Sequence, residues 1–299
     1  MTPPGRNTTT PQTPGRTLGE PIAITGPGGD WSRVHADLDR HASAVLYARV
    51  DDWRPERAGG PRLRALLGRD WGRFLELTHP DVRTRFASSR ILLKFAAAKV
   101  LDVPPRTVEL GYAGSGRPYL RGYDGVHISL SHTDELLLVG LATGGVIGVD
   151  AERSDRKLYG PGLGRHMCTP HEVAEIEALP DDRRDPALVR LWTLKEAYSK
   201  AIGLGMQFRF TDFGFRSDGT PTELLRPDGT PGTTGEWTFG TYGIDVGESY
   251  TVSVAVGDAG FGTTAETAAG TALDISIMDA LSEVLGSDEG GDDGSDDWW

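Results

Sequence analysis

Between Val126 and Val149 three apolar runs follow one another with links too short for a crossover: Val126–Leu130, Leu136–Ala142 and Val146–Val149. Thr133-Asp134 and Gly144-Gly145 supply turn residues between them. A parallel connection needs roughly a dozen residues or more, so these strands are expected to pair as antiparallel hairpins. Helical material must then flank them. Asp81–Leu101 places Val82, Phe86, Ile91, Leu92, Phe95, Ala98 and Leu101 near helical spacing, and Pro104-Pro105 blocks continuation. Thr169–Leu179 reads as a helix with Thr169 as N-cap, Pro170 in the first turn and Glu172 three residues on. A further helix is expected over Pro186–Ile202, ending at Gly203. Strands are expected at Val45–Val50, Asp212–Arg216, Glu236–Tyr242 and Tyr250–Val256. This order predicts an α+β fold made of two halves of similar content.

The halves are read as residues 30–147 and 148–260, between two tails. Residues 1–29 are rich in Pro, Gly and Thr and are expected to be disordered. Residues 261–299 form an acidic low-complexity tail, within which Ala272–Leu285 has helix-like apolar spacing. The tail changes how the net charge of -12 is understood. It holds ten acids and no Lys or Arg, which leaves 31 basic against 33 acidic residues in the body. A body without basic excess argues against general nucleic-acid binding. No run of 18 apolar residues suggests a membrane span. Cys168, the single cysteine, cannot form an internal disulfide, and the N-terminus lacks a secretory apolar segment. A soluble protein of the reducing cytoplasm is expected.

Two clusters could carry chemistry. In Gly148-Val149-Asp150-Ala151-Glu152 a strand would turn Asp150 and Glu152 to one face. Such carboxylates repel unless a positive charge sits between them, and hard oxygen donors suit Mg²⁺ with substrate phosphates. A solvated strand end is the bland alternative. In Trp192-Thr193-Leu194-Lys195-Glu196-Ala197-Tyr198-Ser199-Lys200 a helix would line up Trp192, Glu196 and Lys200. An ordinary surface Glu–Lys pair beside a packed Trp is the alternative there. His166, Cys168 and His171 lie close together, but their spacing fits no common zinc site.

Taken together with Gly116-Arg117-Pro118-Tyr119 and Ile128-Ser129-Leu130-Ser131-His132, the two clusters resemble the signature of the Sfp-type 4′-phosphopantetheinyl transferases. The match is specific from Gly116 to Lys200 and looser from Ser88 to Tyr250. The basic N-terminal stretch usual in that family is interrupted here by Ala58-Gly59-Gly60-Pro61.

The resemblance implies a monomeric pseudo-twofold pair of similar α/β subdomains, each a small antiparallel sheet packed with helices. It implies transfer of the 4′-phosphopantetheine arm of coenzyme A to a serine of an apo acyl or peptidyl carrier protein, releasing 3′,5′-ADP. Asp150, Glu152 and Glu196 match the metal-binding carboxylates for Mg²⁺ or Mn²⁺. Glu196 would remove the serine proton, directly or through a metal-bound water, and Lys200 would neutralise or protonate the departing phosphate. Ser131, His132 and Arg117 would contact phosphate or nucleotide, and Arg90 the 3′-phosphate end of coenzyme A. Arg83, Arg85, Lys94 and Lys99 share the helix of Arg90, and a solvated basic face is the plain alternative for all five. Two rival functions fit the same residues: a catalytically inactive carrier-protein-binding regulator, and a metal-dependent nucleotide pyrophosphate hydrolase.

Overall fold

The computed structural model describes residues 17–57, 59–160, 167–203, 209–218, 223–232 and 236–258. The first half begins with β1 (Ile22–Ala23), α1 (Ser32–His41) and β2 (Ser43–Arg49). Helices α2 (Pro61–Leu67), α3 (Trp71–Glu76) and α4 (Pro80–Leu101) follow, then strands β3 (Leu110–Tyr112) and β4 (Pro118–Leu120). The hairpin of β5 (His127–Thr133) and β6 (Leu136–Ala142) completes it. The second half contains β7 (Gly145–Arg153), α5 (Pro170–Ala178), α6 (Asp181–Ile202), β8 (Trp237–Asp245) and β9 (Ser249–Asp258).

The chain forms two main sheets, each with its own long helix. One has the order β1-β2-β6-β5 and the other β7-β9-β8, while β3 and β4 make a small separate ribbon. All pairings are antiparallel except β1 with β2, which is parallel. The expected α+β architecture of small, mostly antiparallel sheets packed with helices is what the chain adopts.

Strand β6 explains how the halves meet. It is buried along its whole length, so its sequence reads as a continuous apolar run rather than an alternation. Leu137, Val139 and Leu141 pack with Ile91, Leu92 and Ala96 of α4 in one core. Leu136, Leu138 and Ala142 point the other way, into a core shared with Ile147, Val149 and Ala151 of β7 and Val252, Val254 and Val256 of β9. At Gly140 an added Cβ would lie 2.8 Å from Val149, so glycine is what permits this close sheet-to-sheet approach.

Four expectations need correction. Strand β7 does not form a hairpin with β6: both edges of β6 are already taken by β2 and β5, so β7 pairs with β9 in the other sheet. Part of the expected disordered stretch 1–29 is structured, because Ile22 and Ile24 are buried and β1 hydrogen-bonds along β2. Helix α6 starts at Asp181 and carries Pro186 inside it, one backbone donor being lost in its second turn. Asp212–Arg216 is not a strand. A 3₁₀ turn covers Phe210–Asp212, Gly214 makes an isolated bridge to Leu225, and the Phe215 N–H donates to the Glu172 carboxylate at 2.9 Å. Residues 261–299 and His166 lie outside the described residues.

Candidate active site

Helix α6 lies across β7 at Gly148, where an added Cβ would fall on the Ala197 carbonyl oxygen. That approach sets Asp150, two residues along β7, against Glu196 and Lys200 on α6. Lys200 Nζ donates to Asp150 Oδ1 at 2.6 Å and to Ser131 Oγ at 3.2 Å. Ser131 Oγ in turn donates to Asp150 Oδ1 at 2.8 Å. Three segments far apart in sequence thus meet at one carboxylate oxygen, and Asp150 is buried with only 6 % of its surface exposed. Lys200 is therefore more than half of a Glu196–Lys200 surface pair, since its ammonium binds Asp150.

Glu196 is half-buried beside this group. Its carboxyl is pushed up to about 7, first by burial and then by the charge of Asp150, against the pull of Lys200. Glu152 sits on the same face of β7 as Asp150 but is engaged elsewhere. Its Oε2 accepts from Arg156 Nη1 at 2.6 Å and its Oε1 from the Arg153 N–H at 2.8 Å. Burial raises the Glu152 carboxyl, the Arg153 N–H and the Arg156 charge oppose that rise, and Asp150 and Asp134 add to it. Each of the two paired carboxylates therefore has its own cation, which is how a buried Asp-x-Glu avoids self-repulsion.

Strand alternation separates the Ser131-His132 pair. Ser129, Ser131 and Thr133 all face β7: the Val149 N–H donates to Ser129 Oγ at 3.1 Å and Thr133 Oγ1 donates to the Ala151 carbonyl at 2.6 Å. His132 lies on the opposite face of β5, with Ile128 and Leu130 of the α4 core. Arg117 stands at the C-terminal end of α6, where its side chain would be 3.3 Å from a Cβ at Gly203. Burial there pulls its pKa down.

Arg90 belongs to a separate buried network in the first half. Its Nε donates to Tyr112 Oη at 3.1 Å, and Tyr112 Oη donates to Asp70 Oδ1 at 2.8 Å. The guanidinium stacks 4.6 Å from the Phe86 ring centre. Arg83 lies 4.6 Å over Phe74, and Lys94 is buried beside a cavity of about 120 Å³ that Asp70 and Arg106 also line. The basic residues of α4 are thus partly structural rather than a solvated face.

Two features were not singled out from the sequence. Lys195 and Glu172 are both fully buried and paired at 2.7 Å. Lys195 Nζ also donates to the carbonyls of Phe210 and Phe213, while Glu172 closes the capping box with Thr169. This pair holds α5, α6 and the 210–215 segment together, so the Lys of the Trp-Thr-x-Lys-Glu run is architectural. Arg156 is the second. Its spacing of four from Glu152 was the available signal, but a strand does not bring such residues together; the turn after β7 does.

Among the described residues no group of three or more His, Cys, Asp or Glu side chains converges as a metal site. Asp150 and Glu196 are the pair whose chemistry suits a hard divalent cation: two oxygen donors on facing elements, with mutual repulsion that a cation would relieve.

The sequence model of the 4′-phosphopantetheinyl transferase superfamily matches residues 146–255, the segment holding β7, α6, β8 and most of β9. Through that segment the chain is similar to this superfamily. A Synechocystis protein provisionally named a 4′-phosphopantetheinyl transferase is 32% identical over 149 residues, covering 49% of this chain and 61% of that protein. The 4′-phosphopantetheinyl transferase HetI of Nostoc is 32% identical over 130 residues, covering 42% of this chain and 55% of HetI. A phosphopantetheinyl transferase of Thraustochytrium is 29% identical over 227 residues, covering 70% of this chain and 76% of that protein. The chain thus spans only 55% to 61% of the length of the first two transferases. The superfamily segment contains Asp150, Glu152, Glu196 and Lys200, whereas Arg90, Arg117, Ser131 and His132 lie before it.

Proposed function

We propose that this chain is an Sfp-type, monomeric 4′-phosphopantetheinyl transferase that moves the phosphopantetheine arm of coenzyme A onto a serine of an apo acyl or peptidyl carrier protein. The observation that carries the reading is the meeting of Ser131, Asp150, Glu196 and Lys200 where β5, β7 and α6 touch. Relatives named as transferases of this kind support it. The free thiol of Cys168, buried, is in keeping with a reducing cytoplasm.

The serine hydroxyl attacks the phosphorus that bears the pantetheine arm. A new O–P bond forms, the bridging P–O bond breaks, and its electron pair leaves on 3′,5′-ADP. Glu196, set beside Asp150 and Lys200, takes the serine proton. Lys200, held by Asp150 and Ser131, places an ammonium where negative charge grows on the departing phosphate. Asp150 and Glu196 would hold Mg²⁺ or Mn²⁺, and Glu152 would join them on release from Arg156. A bound divalent cation supplies charge neutralisation of the pyrophosphate oxygens. Arg117, at the end of α6, would meet coenzyme A from the first half, as would His132 and Arg90 from their own faces.

Intact-mass spectrometry of an apo carrier protein incubated with the chain, coenzyme A and Mg²⁺ tests the reading. One added phosphopantetheine, abolished by EDTA, is the expected result. Release of 3′,5′-ADP without any carrier would mean pyrophosphate hydrolysis instead, and carrier binding without mass gain would mean a non-catalytic partner.

A further inference from the structure

The turn that follows β7 is unusually well anchored for an exposed loop. The Arg153 guanidinium makes two 2.9 Å bonds to Asp155 and a third of 2.9 Å to Glu248. The Ser154 N–H donates to the Ser249 carbonyl at 2.9 Å, and the Ser154 and Thr251 hydroxyls lie 3.0 Å apart. This frame delivers Arg156 back onto Glu152, whose side chain is only 5% exposed while that of Arg156 is 23% exposed. With the Arg153 N–H on the other oxygen, both carboxylate oxygens of Glu152 are in use. Asp150 has a separate cation in Lys200.

We propose that Arg156 is a resident counter-cation for Glu152 that a divalent ion must displace, so that Arg156 sets how tightly the site binds its metal. The inference rests on the reading of Asp150 and Glu196 as the cation site, and deepens it. An arginine on Glu152 and a metal on Glu152 compete, because two cations at one carboxylate repel each other. Arg156 is a positioning and tuning residue and touches no reacting atom.

Direct Mn²⁺ binding, read as loss of the free-ion electron paramagnetic resonance signal without coenzyme A or carrier, tests this. Arg156→Gln is expected to tighten Mn²⁺ binding about fivefold, equivalent to ~1 kcal/mol. Arg156→Lys, which keeps the charge but loses the planar fork, is expected to show a smaller gain in the same direction. Adding Glu152→Gln to Arg156→Gln should remove the gain. The Mn²⁺-induced rise in melting temperature should be larger in Arg156→Gln than in the parent chain. Unchanged or weaker binding in both Arg156 variants, with Asp150→Ala still abolishing binding, would overturn the role of Arg156 alone. Undiminished binding in Asp150→Ala would overturn the cation site itself and the proposal with it.

Discussion

Asp150 draws its surroundings into order: a lysine from α6 and a serine from β5 both satisfy one of its oxygens, and Glu196 is left to share its field. The consequence for Glu196 can be measured through stability. Its carboxyl lies near 7 in the folded chain against an ordinary value of 4.5, so between these values the folded state binds more protons than the unfolded state. Stability contributed by this group is full below about 4.5 and falls as pH rises through 7. In metal-free protein, Glu196→Gln should therefore flatten the decline of melting temperature over that window; an identical slope in the variant would remove Glu196 as its source. Cys168 gives a second residue-scale prediction. Burial, then the Glu172 charge, pushes the thiol up to about 12, so on the order of 10⁻⁴ of it is thiolate at pH 8. Iodoacetamide should leave native protein unlabelled and label it once in guanidinium, which mass spectrometry reads directly.

At the scale of elements, the site depends on how closely β7 and α6 approach. Gly148→Ala must push α6 off β7, because the new methyl meets the Ala197 carbonyl. The variant should lose about 1–3 kcal/mol in urea unfolding and most of its transfer activity, since Lys200 moves with the helix. Full turnover in that variant would mean the spacing is not needed. The buried Lys195–Glu172 pair locks α6 to α5 and to the 210–215 segment. Lys195→Met strands the Glu172 carboxylate without its partner and should cost about 3–5 kcal/mol, measured by chemical denaturation. Helices α4 and α6, and strands β5, β6, β7 and β9, were legible in sequence because apolar periodicity and turn residues act locally. The start of α6 was not, since a proline inside a helix reads as its beginning, nor was Asp212–Arg216, whose Phe215 N–H is claimed by the distant Glu172.

Across the described residues, the two main sheets, with one long helix each, meet through β6 and β7. Both the superfamily segment and the described site close before Asp258, so deletion of residues 262–299 should leave melting temperature and transfer to a free carrier protein unchanged. A loss of turnover in the shortened chain, seen by intact-mass spectrometry, would assign the tail a part in docking. The amino-acid sequence by itself determined the elements, the α+β class, and which carboxylates and lysine could do chemistry, because spacing along a strand or helix is a local property. Only the tertiary structure decided their roles. It set Lys200 on Asp150, turned Ser131 inward and His132 away, buried Arg90 against Asp70 and Tyr112, and set Arg156 on Glu152. Those pairings are fixed by burial and charge compensation between segments up to 69 residues apart, a balance no local pattern encodes.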